Sequence, residues 1–246
     1  MLWANRFEEK SMIYEIKKCI PSDAHYPKAL NDISKKPDCL YYIGDIDILN
    51  NKKSVAIIGS RDCSDEGRKL AYNAGIMAAE MGYVIVNGLA YGCDTEALLG
   101  ALDKNGKCAV FLPGGLNSIY PKQNEKLAER IVETGGCIIS EYVSYMKPQK
   151  YTFVERDRLQ SGVSQGVIVI ETTENGGTMH TVEFALRQYR RLAAYSALLV
   201  NNASGNAIIE GKKEAFIIRD NDSLLEFYKN LPERDENKQL SMFNDD

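Results

Sequence analysis

Histidine is scarce in this chain, with 2 copies among 246 residues, His25 and His180. His25 falls in an N-terminal extension and His180 in a helical pattern, so no Ser-His-Asp or Cys-His arrangement is supportable. The 6 cysteines, Cys19, Cys39, Cys63, Cys93, Cys108 and Cys137, are scattered singly without a CxxC pair, and neither a metal nor a cofactor is expected. No carboxylate cluster suggests a Mg²⁺-dependent nuclease. No apolar run approaches the roughly 20 residues that cross a bilayer. The N-terminal stretch MLWANRFEEKSMIYEIKKC has neither an uninterrupted apolar segment nor a small-residue cleavage site. A cytoplasmic protein with reduced thiols and no membrane contact is expected. An excess of basic charge is missing too: 30 Lys and Arg stand against 34 Asp and Glu, for a net charge of −4. This excludes a basic coat but leaves room for a local basic cleft.

What the sequence does contain is an alternation, over residues 54–200, of short β-rich runs with amphipathic helical patterns, the mark of a parallel α/β sheet. The expected strands are 54–59, 83–88, 108–114, 137–140 and 166–171. Each is almost continuously apolar, as strands covered by helices on both faces must be. Leu70, Ala74, Met77, Ala78 and Met81 follow helical spacing, as do Ala97, Leu98, Ala101 and Leu102. Leu127, Ile131 and Val132 form a third stripe, and Val182, Ala185, Leu186 and Tyr189 a fourth. Asp94 and Thr178 are expected N-caps. Residues 1–50 read as an N-terminal extension packed on a core of residues 51–229, and the polar residues 230–246 as a flexible tail.

Glycines and small polar residues fall just after the expected strands: Gly59, Ser60 and Arg61; Gly88, Gly92 and Asp94; Gly114 and Gly115; Gly176, Gly177 and Thr178. In an open parallel sheet these loops share the carboxyl edge, where ligands bind. Glycine lets the backbone approach a ligand, and the helix that follows offers unpaired N–H groups. A phosphate site is expected there, although each glycine taken alone could simply make a tight turn. Arg61, Arg156 and Arg158 could supply bidentate guanidinium contacts, or pair locally with Asp62, Glu155 or Asp157. Arg156 and Arg158 are expected in a loop, TFVERDRLQSG. Lys147 and Lys150 flank Tyr151 and Phe153, a mixture that suits phosphates and stacked bases but also local packing.

These residues also resemble a known family. Tyr26-Pro27, Leu30, Pro37, Leu40-Tyr41 and Gly44, then AIIGSR, NGLAYGCDTEALLGAL, FLPGGLNSIYPKQN, ISE and RDRLQSGVSQGVIVIE, run in the order and spacing of the DNA-processing A (DprA/Smf) core, from about residue 26 to 220. The resemblance implies a Rossmann-like, doubly wound, mostly parallel sheet and no catalytic residue. It implies binding and protection of single-stranded DNA, homodimerisation, and loading of a RecA-type recombinase in DNA uptake, recombination or phage defence. By the same resemblance, Ser60, Arg61, Gly88, Gly92, Asp94, Tyr120-Pro121, Asn124, Arg156, Arg158 and Thr181 match family positions, as does Lys147 or Lys150. There are departures. Asp157 interrupts the arginine pair where the family has asparagine, and Leu98 replaces a histidine. A GGT loop replaces serine-glycine-serine, and a valine-proline-glycine is missing. In the tail, Gln239, Leu240, Met242 and Phe243 resemble the peptide by which bacterial proteins bind the sliding clamp.

A competing reading comes from ENGGTMHTVEFAL, which faintly resembles the loop of cytokinin-activating (lonely guy) phosphoribohydrolases, with Glu183 at the catalytic carboxylate. A nucleotide-sensing protein of the same superfamily is a third.

Overall fold

The computed structural model describes residues 15–233. Its centre is one nine-stranded sheet in the order β1-β2-β6-β5-β4-β3-β7-β8-β9. In chain order the elements are β1 (Lys17–Cys19), β2 (Leu40–Gly44), α1 (Ile48–Asn51), β3 (Ser54–Ile58), α2 (Asp65–Glu80), β4 (Val84–Asn87), α3 (Cys93–Asp103), β5 (Cys108–Phe111) and α4 (Glu125–Glu133). Then come β6 (Cys137–Ser140), α5 (Lys150–Val163), β7 (Gly166–Val169), α6 (Thr178–Arg187), β8 (Arg191–Tyr195), α7 (Ser204–Glu210), β9 (Ala215–Ile218) and α8 (Asn221–Lys229). The strands from β3 to β9 are mutually parallel. Only β2 runs against them; β1, which pairs antiparallel with β2, shares their direction.

The five expected strands are all present, each equal to or shorter than its expected span, because the glycine-containing ends turn away into loops. Alternate residues of each strand feed two separate cores. Val55 and Ile57 belong to the layer with α2, α3, α4 and α8. Ala56 and Ile58 belong to the layer with α5, α6 and residues 19–49. This two-sided burial is why the strands read as unbroken apolar runs. Helices α2 and α3 lie unusually close, because a Cβ on Gly75 would fall on the Ala97 carbonyl and one on Gly100 on the Tyr72 carbonyl.

The segment before residue 50 supplies two strands of the same sheet, through pairing of β2 with β6. Its family-like residues hold it there. Tyr26 is buried and donates its hydroxyl to the Pro37 carbonyl at 2.9 Å. Gly44 turns with φ +89°, and any Cβ there would strike the Gly136 carbonyl. All six cysteines are free thiols. Among the described residues no helix is long and apolar enough to cross a membrane.

Three expectations are corrected. TFVERDRLQSG is not a loop but most of the 14-residue helix α5. Its Arg156, Asp157, Arg158, Gln160 and Ser161 are all buried, so the helix has no apolar stripe by which to announce itself. Asp94 does not cap α3, whose N-cap is Gly92 at φ +70°. Thr178 is the first helical residue of α6, capped by Gly177. The strands β1, β2, β8 and β9 were not expected at all. The residues of the clamp-like motif, Gln239, Leu240, Met242 and Phe243, lie outside the described residues.

Candidate functional site

Strand order reverses between β3 and β7, the place where open α/β sheets form a ligand crevice. A cleft lies on one side of that point, above the ends of β3, β4 and β5. It is lined by Arg61, Gly88, Ala90 and Tyr91 together with Pro113, Tyr120, Pro121, Phe153 and Arg156. Of the four glycine-rich loops, the first three converge here. The loop with Gly176, Gly177 and Thr178 does not line the cleft.

Arg61 is exposed on the rim, with its guanidinium over the Phe153 ring at 5.2 Å. Phe153 meets Tyr120 edge to face at 5.6 Å. Arg156 forms the floor and is only 6% exposed. Its Nη1 donates to the Phe111 carbonyl at 2.8 Å, and its Nε lies 3.1 Å from Asp157 Oδ1. A Cβ on Gly88 would fall on the Arg156 guanidinium. Gly88 is therefore small to admit an arginine, not a ligand.

Asp94 is buried and does not line the cleft. Its Oδ2 accepts from the Gly88 N–H at 3.0 Å and the Ala90 N–H at 3.3 Å, which holds the 88–92 loop in shape. Asn87 donates to the Asp94 carbonyl at 3.0 Å. Asn124 donates to the Leu89 carbonyl at 2.8 Å and to Thr95 Oγ1 at 2.9 Å. Together they hold Leu89 at φ +59°, a left-handed conformation that a bulky residue adopts only under such constraint. Burial, partly offset by Arg156, pushes the Asp94 carboxyl up to about 6. Burial does the same to Asp157, with Arg156 again opposing it.

The remaining expected site residues divide sharply. Arg158 leaves the cleft altogether. It is 4% exposed and grips Glu141 through two bonds of 2.9 and 2.6 Å, with Nε on the Lys35 carbonyl at 2.9 Å. It ties α5 to the end of β6 and to the N-terminal segment. Gly59 packs on Cys93, and Gly92 on the carbonyls of Ser60 and Arg61. Gly114 and Gly115 admit the 143–148 backbone and Pro148. Gly176 packs on Thr172, whereas Gly177 has open space where a Cβ would stand. Ser60 is half-buried and its hydroxyl donates to the Asp62 carbonyl at 3.2 Å. Thr178 is half-buried, Thr181 is buried, and Lys147 and Lys150 are exposed. Leu98, the residue in place of the family's histidine, is fully buried in the core.

Tyr120, Pro121 and Tyr91 of the cleft are site residues missing from the loop argument; only the family pattern pointed to Tyr120-Pro121. Glu183, the carboxylate required by the hydrolase reading, is not brought to this cleft. It is exposed on α6 beside Arg187, at 3.6 Å.

The family model described as DNA recombination-mediator protein A matches residues 17–229. The chain is 36% identical over 208 residues to the DNA processing protein DprA of Streptococcus pneumoniae, covering 83% of this chain and 72% of that protein. It spans between 42% and 55% of three longer relatives named Smf. Among solved structures, the S. pneumoniae protein aligns with a TM-score of 0.77 at 32% identity, over 89% of this chain and 76% of that one. The DNA processing protein A of Helicobacter pylori, solved for its single-stranded DNA binding mode, aligns at 0.78 with 28% identity, over 89% and 98%. The sheet described above is the Rossmann-like fold of these proteins.

Proposed function

The chain belongs to the DNA recombination-mediator protein A family, and from that premise we propose that it binds and protects single-stranded DNA, with the Arg61–Arg156 cleft as the phosphate site. The observation that carries this reading is the pair of arginines at the cleft. Arg61 is an exposed cation with its guanidinium over the Phe153 ring, and Arg156, lining the same cleft, is fixed by the Phe111 carbonyl. A preorganised guanidinium loses little freedom when it takes a phosphate. Gly177, with open space beside it, and Thr178 form a second, separate patch at the start of α6, where N–H groups can receive another phosphate, while Thr181 is buried. The role is one of holding a strand, and no catalytic residue is assigned.

Fluorescence anisotropy with labelled oligothymidine at several salt concentrations tests this. Affinity is expected to fall as salt rises, and Arg61→Ala to weaken binding by roughly tenfold or more. Arg156→Ala should weaken it further. Absence of binding at low salt would remove the proposal and bring forward the nucleotide hydrolase or sensor.

Finer assignments rest on family resemblance and sequence: a homodimer, delivery of the strand to a RecA-type recombinase, and clamp binding through Gln239, Leu240, Met242 and Phe243. Retention of recombinase and clamp on the immobilised protein tests the last two. Clamp retention that survives Leu240→Ala with Phe243→Ala would eliminate the tail motif.

A further inference from the structure

Phe153 is poorly placed to stack on a base, since Arg61 lies over its ring at 5.2 Å and Tyr120 meets it at 5.6 Å. The free aromatic faces are elsewhere. Tyr145, in the loop between β6 and α5, is 80% exposed, and Tyr151, in the first turn of α5, is 60% exposed. Among the described residues neither ring stacks on another and neither hydroxyl is hydrogen-bonded. Two large rings left in water at one end of one helix are unusual unless something covers them.

The loop that carries Tyr145 is well anchored. The Gly115 N–H donates to the Met146 carbonyl at 2.7 Å and the Asn117 N–H to the Ser144 carbonyl at 2.8 Å. Gly114 and Gly115 lack the Cβ atoms that would strike Pro148 and the Val143–Ser144 backbone. The same turn contributes Pro113 to the cleft wall, so the loop is a shoulder of the cleft. Lys147 and Lys150 stand exposed between the two tyrosines in sequence. Alternating rings and cations beside a phosphate site match the chemistry of a flexible polyanion with unpaired bases. A duplex, whose bases are already stacked, offers these rings nothing.

We infer that this shoulder is a second binding surface, on which Tyr145 and Tyr151 stack unpaired bases of a strand whose backbone continues into the Arg61 cleft, with Lys147 and Lys150 on the adjoining phosphates. The inference rests on the single-strand reading above and adds to it where the bases go.

Two probes of equal length and charge separate the possibilities: labelled oligothymidine and an abasic oligonucleotide. Tyr145→Ala and Tyr151→Ala should each weaken oligothymidine binding on the order of tenfold while leaving the abasic probe unchanged. Tyr145→Phe and Tyr151→Phe should keep wild-type affinity, because the ring is retained. If the alanine variants bind oligothymidine as the wild type does, the shoulder is not a stacking surface, although the cleft proposal stands. Equal losses on both probes, or losses in the phenylalanine variants, would likewise overturn stacking. Wild-type protein that binds neither probe would remove the single-strand reading and this inference together.

Discussion

Arg156 sits between Asp94 and Asp157, and what that means for an anion in the cleft depends on pH. Both carboxyls are pushed up to about 6, chiefly by burial, against about 3.9 for an unperturbed aspartate. A carboxyl whose folded value is raised supports folding fully below its unfolded value and loses that support as pH rises through the folded value. Between pH 4 and 6 these two groups therefore lower stability as pH increases. The same ionisation opposes a bound phosphate, so the phosphate in turn favours the protonated carboxyls. If an occupied cleft raises Asp157 by one further unit, binding gains about 1.4 kcal/mol, or about tenfold, on the acid side. Oligothymidine affinity is expected to rise as pH falls from 7.5 to 5.5 at constant ionic strength. Asp157→Asn should flatten that profile and strengthen binding at pH 7.5. A profile that Asp157→Asn leaves unaltered would mean the carboxyl does not sense the ligand.

At the scale of elements, α5 separates the two arginines that sequence spacing had joined. Arg156 and Arg158 sit two apart on a helix, where neighbours two apart point in different directions. One therefore reaches the cleft floor while the other reaches Glu141. Arg158→Ala would leave Glu141 without its partner and is expected to lower the free energy of unfolding by about 3 kcal/mol, read as a shift in urea midpoint. The affinity of the folded fraction for oligothymidine should be unchanged, which distinguishes it from Arg156→Ala. A loss of affinity without loss of stability would return Arg158 to the binding surface. The sequence does not announce this helix because its buried face is largely polar and pairs with Phe111, Glu141 and Gln188 of distant segments, a pattern that apolar periodicity cannot register.

For the molecule as a whole, the sheet has short strands at both edges, β1 and β9, and the most conspicuous exposed apolar group lies near the second. Leu198, in the turn after β8, is 94% exposed, and Ile208 on the neighbouring α7 is partly exposed as well. If the protein is a homodimer, as its family resemblance implies, this end is the expected contact, remote in the sheet order from the β3–β5 cleft. Sedimentation equilibrium should then show a dimer that Leu198→Asp converts to monomer, with the cleft's affinity per protomer retained. A wild-type monomer at tens of micromolar, or a dimer indifferent to Leu198→Asp, would contradict this contact.

Local chemistry alone was enough to specify the five central strands, their two-sided burial and the edge of the sheet on which the loops gather. Those features follow from hydrophobic periodicity and turn residues, which act over a few positions of chain. It could not distinguish a glycine that admits a ligand from one that admits another part of the protein. Gly88 makes room for Arg156 and Gly115 for the Val143–Ser144 backbone, contacts made across 68 and 28 residues of sequence. It equally could not tell an arginine that meets solvent from one that ends in a buried ion pair, since Arg61 and Arg158 are the same side chain until the fold supplies Phe153 to one and Glu141 to the other. Those assignments depend on desolvation and on partners brought from distant segments, and only the tertiary structure provides either.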